Sequence, residues 1–127
     1  MAASAALYVK DLDSMRVFYE RCFAMSPQHA GKRFCVLASS DWELSLVRVP
    51  DQLAAAIVIA SPPCRREDSP IKLVFDVADL DQVGALVVAA GGQIDPADAT
   101  WKFRGRLHLD CLDPEGNVLQ LRQPIPT

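Results

Sequence analysis

The sequence predicts an α+β fold made of two βαβββ modules, with curved mixed sheets, a cleft between the modules and helices outside. Three observations predict it. The first is an internal repeat: Leu7-Tyr8-Val9-Lys10-Asp11-Leu12-Asp13 is echoed 68 residues later by Phe75-Asp76-Val77-Ala78-Asp79-Leu80-Asp81. A repeat this long is one supersecondary unit used twice, and a unit that cannot bury its own face needs its twin. The second is an apolar stripe at helical spacing after each copy. The third is the turn signal Asp113-Pro114-Glu115-Gly116-Asn117, in which Pro presets φ and Gly accepts φ > 0. Two units facing each other leave a cleft, so the repeat also says where to look for function.

Module one spans about residues 1–50, a linker about 51–70 and module two about 71–127. The first strand is expected at about residues 4–10. Asp11 or Asp13 caps the following helix by accepting from free first-turn N–H groups. Met15, Phe18, Tyr19, Cys22 and Phe23 form its apolar stripe, and Pro27 helps to end the helical region. Arg33 to Ala38 and Trp42 to Val49 read as strands on either side of the turn Ser39-Ser40-Asp41. In the second of these, Trp42, Leu44 and Leu46 point one way and Glu43, Ser45 and Val47 the other.

The linker holds Pro50, Pro62, Pro63 and Pro70 and the charged run Arg65-Arg66-Glu67-Asp68. Ile57-Val58-Ile59 has the β-branched character of an extra strand, whereas Leu53-Ala54-Ala55-Ala56 suits a helical turn; the sequence leaves both open. In module two, Ile71 to Val77 is a strand, and Val83, Leu86, Val87 and Ala90 form the helical stripe. Gly91-Gly92 ends that helix. A short strand around Gln93-Ile94-Asp95, a loop, and strands at Arg104 to Leu112 and Asn117 to Arg122 complete the module.

At 127 residues, half of them hydrophobic, the chain suffices for one domain with a real core. A net charge of −3 and a pI of about 5.2 argue against a nucleic-acid partner. The longest apolar run, Leu53 to Ala60, is far short of the ~20 residues that cross a bilayer. Met1-Ala2-Ala3-Ser4-Ala5-Ala6 lacks the basic flank and apolar core of a signal peptide. The expectation is a cytoplasmic protein with no membrane partner. None of Cys22, Cys35, Cys64 and Cys111 forms a C-x-x-C pair, so the common zinc and redox spacings are absent. Cys22, Cys35 and Cys111 sit in apolar contexts and read as buried hydrophobes; Cys64, in the polar linker, reads as exposed.

With these elements assembled, the chain resembles the glyoxalase / bleomycin-resistance protein / dioxygenase superfamily, which has the vicinal-oxygen-chelate fold. The residues that carry the resemblance are Leu7-Tyr8-Val9-Lys10-Asp11-Leu12 running into Phe18-Tyr19-Glu20 and Phe23, then Phe75 to Asp81, then Asp113-Pro114-Glu115-Gly116-Asn117-Val118-Leu119-Gln120-Leu121. The last is close to the family's closing D-P-x-G-N-x-x-E-L. The resemblance spans nearly the whole chain and implies a single domain over residues 1–127.

Enzymes of this family usually bind a divalent metal through His, Glu or Gln on the first and last strands of each unit. Register places Ser4, Ser45 (with Glu43 on the same face), Lys72 and Gln120 at those positions. Ser4, Ser45 and Lys72 are poor ligands, and a lysine ammonium repels a divalent cation. The expectation is therefore no metal and no cofactor. The chain then resembles the bleomycin-resistance-like branch, whose small dimeric members sequester a ligand without transforming it. The homodimer rests on this resemblance alone.

Lys72 and Gln120 are expected to contact a ligand; the plainer reading has Lys72 capping a solvated edge. Trp101, in the loop before the penultimate strand, is a stacking candidate, whereas Trp42 is read as core. His29 is read as solvated in a polar loop. His108 shares a strand face with Arg106 and Asp110; its type suits a general base, but no nucleophile partners it in sequence, and a structural or surface role is the plainer reading. Lys102, Arg104 and Arg106 read as one alternating strand face that blocks edge pairing; attraction of an anionic ligand is the alternative. No Gly-rich phosphate loop, G-x-S-x-G elbow or H-E-x-x-H motif is present.

The function expected is metal-independent binding of a small organic molecule, including an antibiotic-like compound, in the inter-module cleft. The candidate ligand-binding residues are Glu43, Ser45, Lys72, Trp101, His108 and Gln120. One alternative is a lyase, isomerase or dioxygenase of the same superfamily with an atypical divalent-metal site drawing on Glu43 and Gln120. Another is a structural or regulatory module with a closed, empty cleft.

Overall fold

A computed structural model of the chain describes residues 3–125. Met1 and Ala2 of the leader reading and Pro126 and Thr127 of the second module lie outside the described residues. The chain divides into two compact units, Met1–Ile59 and Ala60–Thr127. Each is an α+β module with a curved mixed sheet.

The first unit runs β1 (Ala3–Val9), α1 (Leu12–Phe23), β2 (Ser26–Ala30), β3 (Phe34–Ser39), β4 (Trp42–Arg48) and a short α2 (Asp51–Ala54). The sheet order is β1-β4-β3-β2, with β1 parallel to β4 and the other pairs antiparallel. Asp11 is the N-cap of α1, its carboxylate accepting from the Ser14 N–H at 3.1 Å, an arrangement worth about 1 kcal/mol. Met15, Phe18, Tyr19 and Cys22 of the predicted stripe are buried against β3 and β4, with Leu37, Leu44 and Leu46 among the fully covered residues of the unit. Phe18 meets Tyr19 edge-on, with 5.1 Å between ring centroids.

Two expectations fail here. The helix ends at Ala24 in the left-handed conformation, before Pro27 is reached, and Pro27 lies in β2 beside a bulge. His29, expected in a loop, is therefore on a strand, stacked on Phe34 at 4.6 Å. The linker alternatives resolve toward a helical turn: α2 spans Asp51–Ala54, and Ile57 to Ile59 pair with no strand.

The second unit runs β5 (Leu73–Asp76), α3 (Leu80–Ala89), β6 (Gln93–Ile94), a 3-10 turn (Ala97–Ala99), β7 (Trp101–Phe103), β8 (Arg106–Leu112) and β9 (Val118–Pro124). The order is β5-β9-β8-β6, with β7 also on β8. Asp79 repeats the role of Asp11 and accepts from the Gln82 N–H at 3.0 Å. The Leu80 N–H finds a further partner in the Gln123 side-chain oxygen at 2.7 Å. The buried face of α3 is Leu80, Val83, Gly84 and Val87. Leu86, expected in the stripe, is exposed, because the small Gly84 takes the inward position against Ile94. The helix closes with Gly91 N–H on Val88 O and Gly92 N–H on Val87 O, the paired bonds of a Schellman ending.

The predicted strand from Arg104 is in fact a hairpin. Arg104 and Gly105 both have positive φ, 50° and 75°, as a two-residue type I′ turn between β7 and β8 requires. Lys102 is thus on β7, Arg104 in the turn and Arg106 on β8, so the three do not alternate along one strand. Trp101 is on a strand and not in a loop.

The turn from Asp113 to Asn117 is built as expected. Asp113 is fully buried; its Oδ1 accepts from the Glu115 and Asn117 N–H groups at 3.0 Å each, and its Oδ2 from the Asn117 amide at 2.8 Å. The connector straps onto this turn. Arg66 N–H donates to Gly116 O at 3.0 Å, and Arg65 pairs with Asp95. Among the described residues no helix is long and apolar enough to cross a membrane.

Candidate functional site

Directly opposed residues of paired strands share a sheet face. In the second unit, Leu73, Phe75, Leu109, Cys111, Leu119 and Leu121 face α3. The other face carries Lys72, Val74 and Asp76, then Val118, Gln120 and Arg122, then Arg106, His108 and Asp110, then Trp101 and Phe103. Register aligns Asp76, Arg122, His108 and Trp101 in one row and Val74, Gln120 and Asp110 in the next.

The aromatic part of this face is built around His108. Trp101, its direct partner across the hairpin, stacks on the imidazole with centroids 5.2 Å apart and planes 18° from parallel. Phe103 meets the same ring edge-on at 5.9 Å. The ring is only 4% exposed, whereas Trp101 is 38% and Phe103 59% exposed. Both ring nitrogens are engaged: Nε2 lies 3.1 Å from the Phe103 carbonyl and Nδ1 3.1 Å from the Gln120 side chain. A carbonyl only accepts, so Nε2 carries a hydrogen. Nδ1 faces Gln120 Oε1, and the direction of that bond follows the tautomer of the ring. His108 is thus a buried support for Trp101, with no nitrogen free for a general base. It is not a surface residue.

The charged part is an ion pair. Lys72 Nζ donates to Asp110 Oδ2 at 2.9 Å and stands 5.9 Å from the Trp101 ring centroid, within cation–π range. The Asp110 side chain is only 14% exposed, and its Oδ1 is enclosed with no hydrogen-bond partner among the described residues. Beside the pair lies an open depression of about 230 Å³, bordered by Arg65, Arg66, Glu67, Ser69, Lys72 and Asp110. At its far edge the face is braced by Arg122, which grips both oxygens of Asp76 at 2.8 and 3.1 Å.

The structure therefore brings four of the six candidates, Lys72, Trp101, His108 and Gln120, onto one face of the second sheet. Glu43 and Ser45 belong to the first sheet, on the face turned away from α1, where Ser4 and Ala6 are their β1 partners. Sequence reasoning missed Asp110 and Phe103. The signal for Asp110 was its place two residues from His108; Phe103 was hidden inside the unrecognised hairpin.

The donors do not fit the divalent metal that enzymes of the resembled family hold. The Lys72 ammonium is engaged with Asp110, and the Gln120 amide is committed to His108. Among the described residues, no three His, Cys, Asp or Glu side chains converge as a metal site would need. The buried thiols are poor donors as well: burial pushes Cys22 up to about 12 and raises Cys35 despite nearby Arg16.

The family model of the glyoxalase/bleomycin resistance protein/dioxygenase superfamily matches residues 2–121. The chain is similar to the solved structure of a glyoxalase/bleomycin resistance protein/dioxygenase family enzyme from Burkholderia phytofirmans PsJN, at 20% identity and a TM-score of 0.70, covering 96% of this chain and 97% of that one. It is also similar to a glyoxalase-related enzyme from Fulvimarina pelagi, at 20% identity and 0.67, covering 100% and 93%. A third similar structure is the fosfomycin resistance protein FosX from Mesorhizobium loti, at 14% identity and 0.66, covering 98% and 91%. At these identities the likeness speaks for the fold alone. No curated protein matches the sequence.

Proposed function

We propose that this chain, which belongs to the glyoxalase/bleomycin resistance protein/dioxygenase superfamily, binds a small organic molecule without a metal and without transforming it. The superfamily hosts unrelated chemistries, so the reading rests on the site and not on the fold. The observation that carries it is Lys72. Immediately before β5, at the position where the resemblance expects a metal ligand, stands an ammonium, held by Asp110 and set beside Trp101. That arrangement suits an organic acid: the half-exposed indole and Phe103 supply apolar area, and Lys72 fixes orientation. His108 and Gln120 hold the indole in place. A homodimer is part of this reading, drawn from the family resemblance; analytical ultracentrifugation tests it.

The test is a fluorescence titration in excess EDTA with small aromatic carboxylates and with phosphonates, fosfomycin among them. Trp42→Phe leaves Trp101 as the reporter. Saturable quenching that weakens at least tenfold in Lys72→Met supports the reading. Binding that appears only with Mn, Fe, Ni or Zn, together with about one retained metal per chain after desalting, would overturn it in favour of a superfamily enzyme.

A further inference from the structure

We infer that the ligand is a small zwitterion, an ammonium beside a carboxylate as in an α-amino acid, seated across the Lys72–Asp110 pair. This rests on the reading of the second sheet as a binding face and narrows the ligand's chemical class.

The argument starts from Asp110 Oδ1. A carboxylate oxygen enclosed without a donor has lost its hydration with nothing in return, and Oδ1 meets no donor among the described residues. Its sister Oδ2 is held by Lys72, whose side chain is 41% exposed. An ion pair with one partner this open is screened by water and contributes little, so exchanging its partners costs little. The pair is a site that gains by being opened, provided that both charges find new partners.

That condition selects the ligand. A simple anion can pair with Lys72, but it competes with Asp110 Oδ2 for the ammonium and leaves Oδ1 without a donor, so it binds more weakly than a ligand that serves both charges. A simple cation would satisfy Asp110 but release Lys72 with nothing in return. A zwitterion serves both: its ammonium donates to Asp110 and its carboxylate accepts from Lys72, and the new bonds are charge-assisted. The size agrees. The adjoining depression, about 230 Å³, is below the roughly 300–1,000 Å³ of sites for drug-sized ligands. Its border mixes Arg65, Arg66 and Glu67 with Pro70, Ile71 and Val118, which suits a side chain of amino-acid dimensions.

Calorimetric titration of the full chain in EDTA with each common L-α-amino acid, its N-acetyl derivative and its carboxamide tests the inference. We expect at least one free amino acid to bind and both of its derivatives to bind at least tenfold more weakly. Lys72→Met and Asp110→Asn are each expected to weaken binding at least tenfold. The double reversal Lys72→Asp with Asp110→Lys is expected to regain most of it, because a zwitterion can turn round. If Asp110→Asn fails to fold by circular dichroism, the derivative series decides alone. An N-acetyl derivative that binds as tightly as its parent overturns the zwitterion. So does an organic acid that binds through Lys72 while no amino acid binds; both results leave the acid-binding reading standing. Binding of amino acids and acids alike that is indifferent to Lys72→Met overturns the two together.

Discussion

The first unit turns Ser4, Ala6 and Tyr8 of β1 and Glu43, Ser45 and Val47 of β4 away from its helix; the second turns Lys72, Val74 and Asp76 and Gln120, His108 and Asp110 away from its own. Towards their helices the two are nearly interchangeable. Asp11 and Asp79 cap α1 and α3 by the same bond, and Leu12 and Leu80 bury the same first-turn position. Inward residues answer to packing, which allows few solutions. Outward residues answer to whatever meets the sheet, and there the first unit sets Glu43 and Tyr8 among small side chains, whereas the second carries ion pairs and an aromatic stack. The second strand differs too. In the first unit it is one piece, β2; in the second it is split into β6 and β7, and the detour between them delivers Trp101 onto His108.

The strongest way to break the likeness is to attack the strapped connector of the second unit. A Cβ on Gly116, where φ is +85°, would lie 2.0 Å from the Cys64 carbonyl oxygen. Gly116→Ala is expected to cost about 3 kcal/mol or more in urea denaturation, from a backbone overlap added to left-handed strain. Gly105→Ala, with a similar φ but open space around it, should cost only about 1 kcal/mol. Equal losses would mean that the strap is not closed over the turn.

The caps sharpen the likeness. Asp11→Ala should cost about 1 kcal/mol, and Asp79→Ala the same or slightly less, because Gln123 still serves the first N–H of α3. A large difference in the opposite sense would mean that the repeated motif does not do the same work twice.

The thiols give the smaller effects. Cys22 ionises near 9 when unfolded but only at about 12 in the native protein, because burial disfavours the thiolate. The stability from keeping it neutral is complete below pH 9 and is lost as pH rises towards 12. Wild type should therefore lose stability more steeply above pH 9 than Cys22→Ala, compared by chemical denaturation at several pH values. At neutral pH, Cys22 and Cys35 of the first unit should be silent to iodoacetamide, and only Cys64 of the second should label, since Cys111 is also buried; intact mass counts the adducts.

How much of this was readable in the sequence followed the strength of the local signals. The α1 stripe, the Gly91-Gly92 ending and the Asp113–Asn117 turn each rest on a side chain or glycine that does one job and are legible in the sequence; the α1 cap was open between Asp11 and Asp13, and Asp79 was not singled out as a cap. Strand β2 was missed because all five of its residues are exposed and Ser26-Pro27-Gln28-His29-Ala30 shows no alternation to mark a face. The β7–β8 hairpin was missed because its turn puts an arginine at positive φ, where Asn or Asp is the usual sign. That miss hid the geometry of the site: unrecognised, the turn separates Trp101 from His108 in the reading, whereas in the fold it pairs them. Lys72 and Gln120 were found through the repeat register, but nothing local announced that Asp110 would reach Lys72 from 38 residues away.

The strap at Gly116 has a consequence for where this polypeptide tolerates being cut or lengthened. Arg65 and Arg66 belong structurally to the second unit, although in sequence they look like tether. Extra residues inserted between Ile57 and Ser61 add only chain length, and each doubling of a flexible loop costs roughly 0.6 kcal/mol. The same insertion at Cys64 would pull the Arg66 N–H off the Gly116 carbonyl and the Arg65 guanidinium off Asp95. A split-protein experiment dividing the gene at residues 59 and 60 would therefore leave the second half with its own clasp, whereas one dividing it at Lys72 would discard the clasp with the leader.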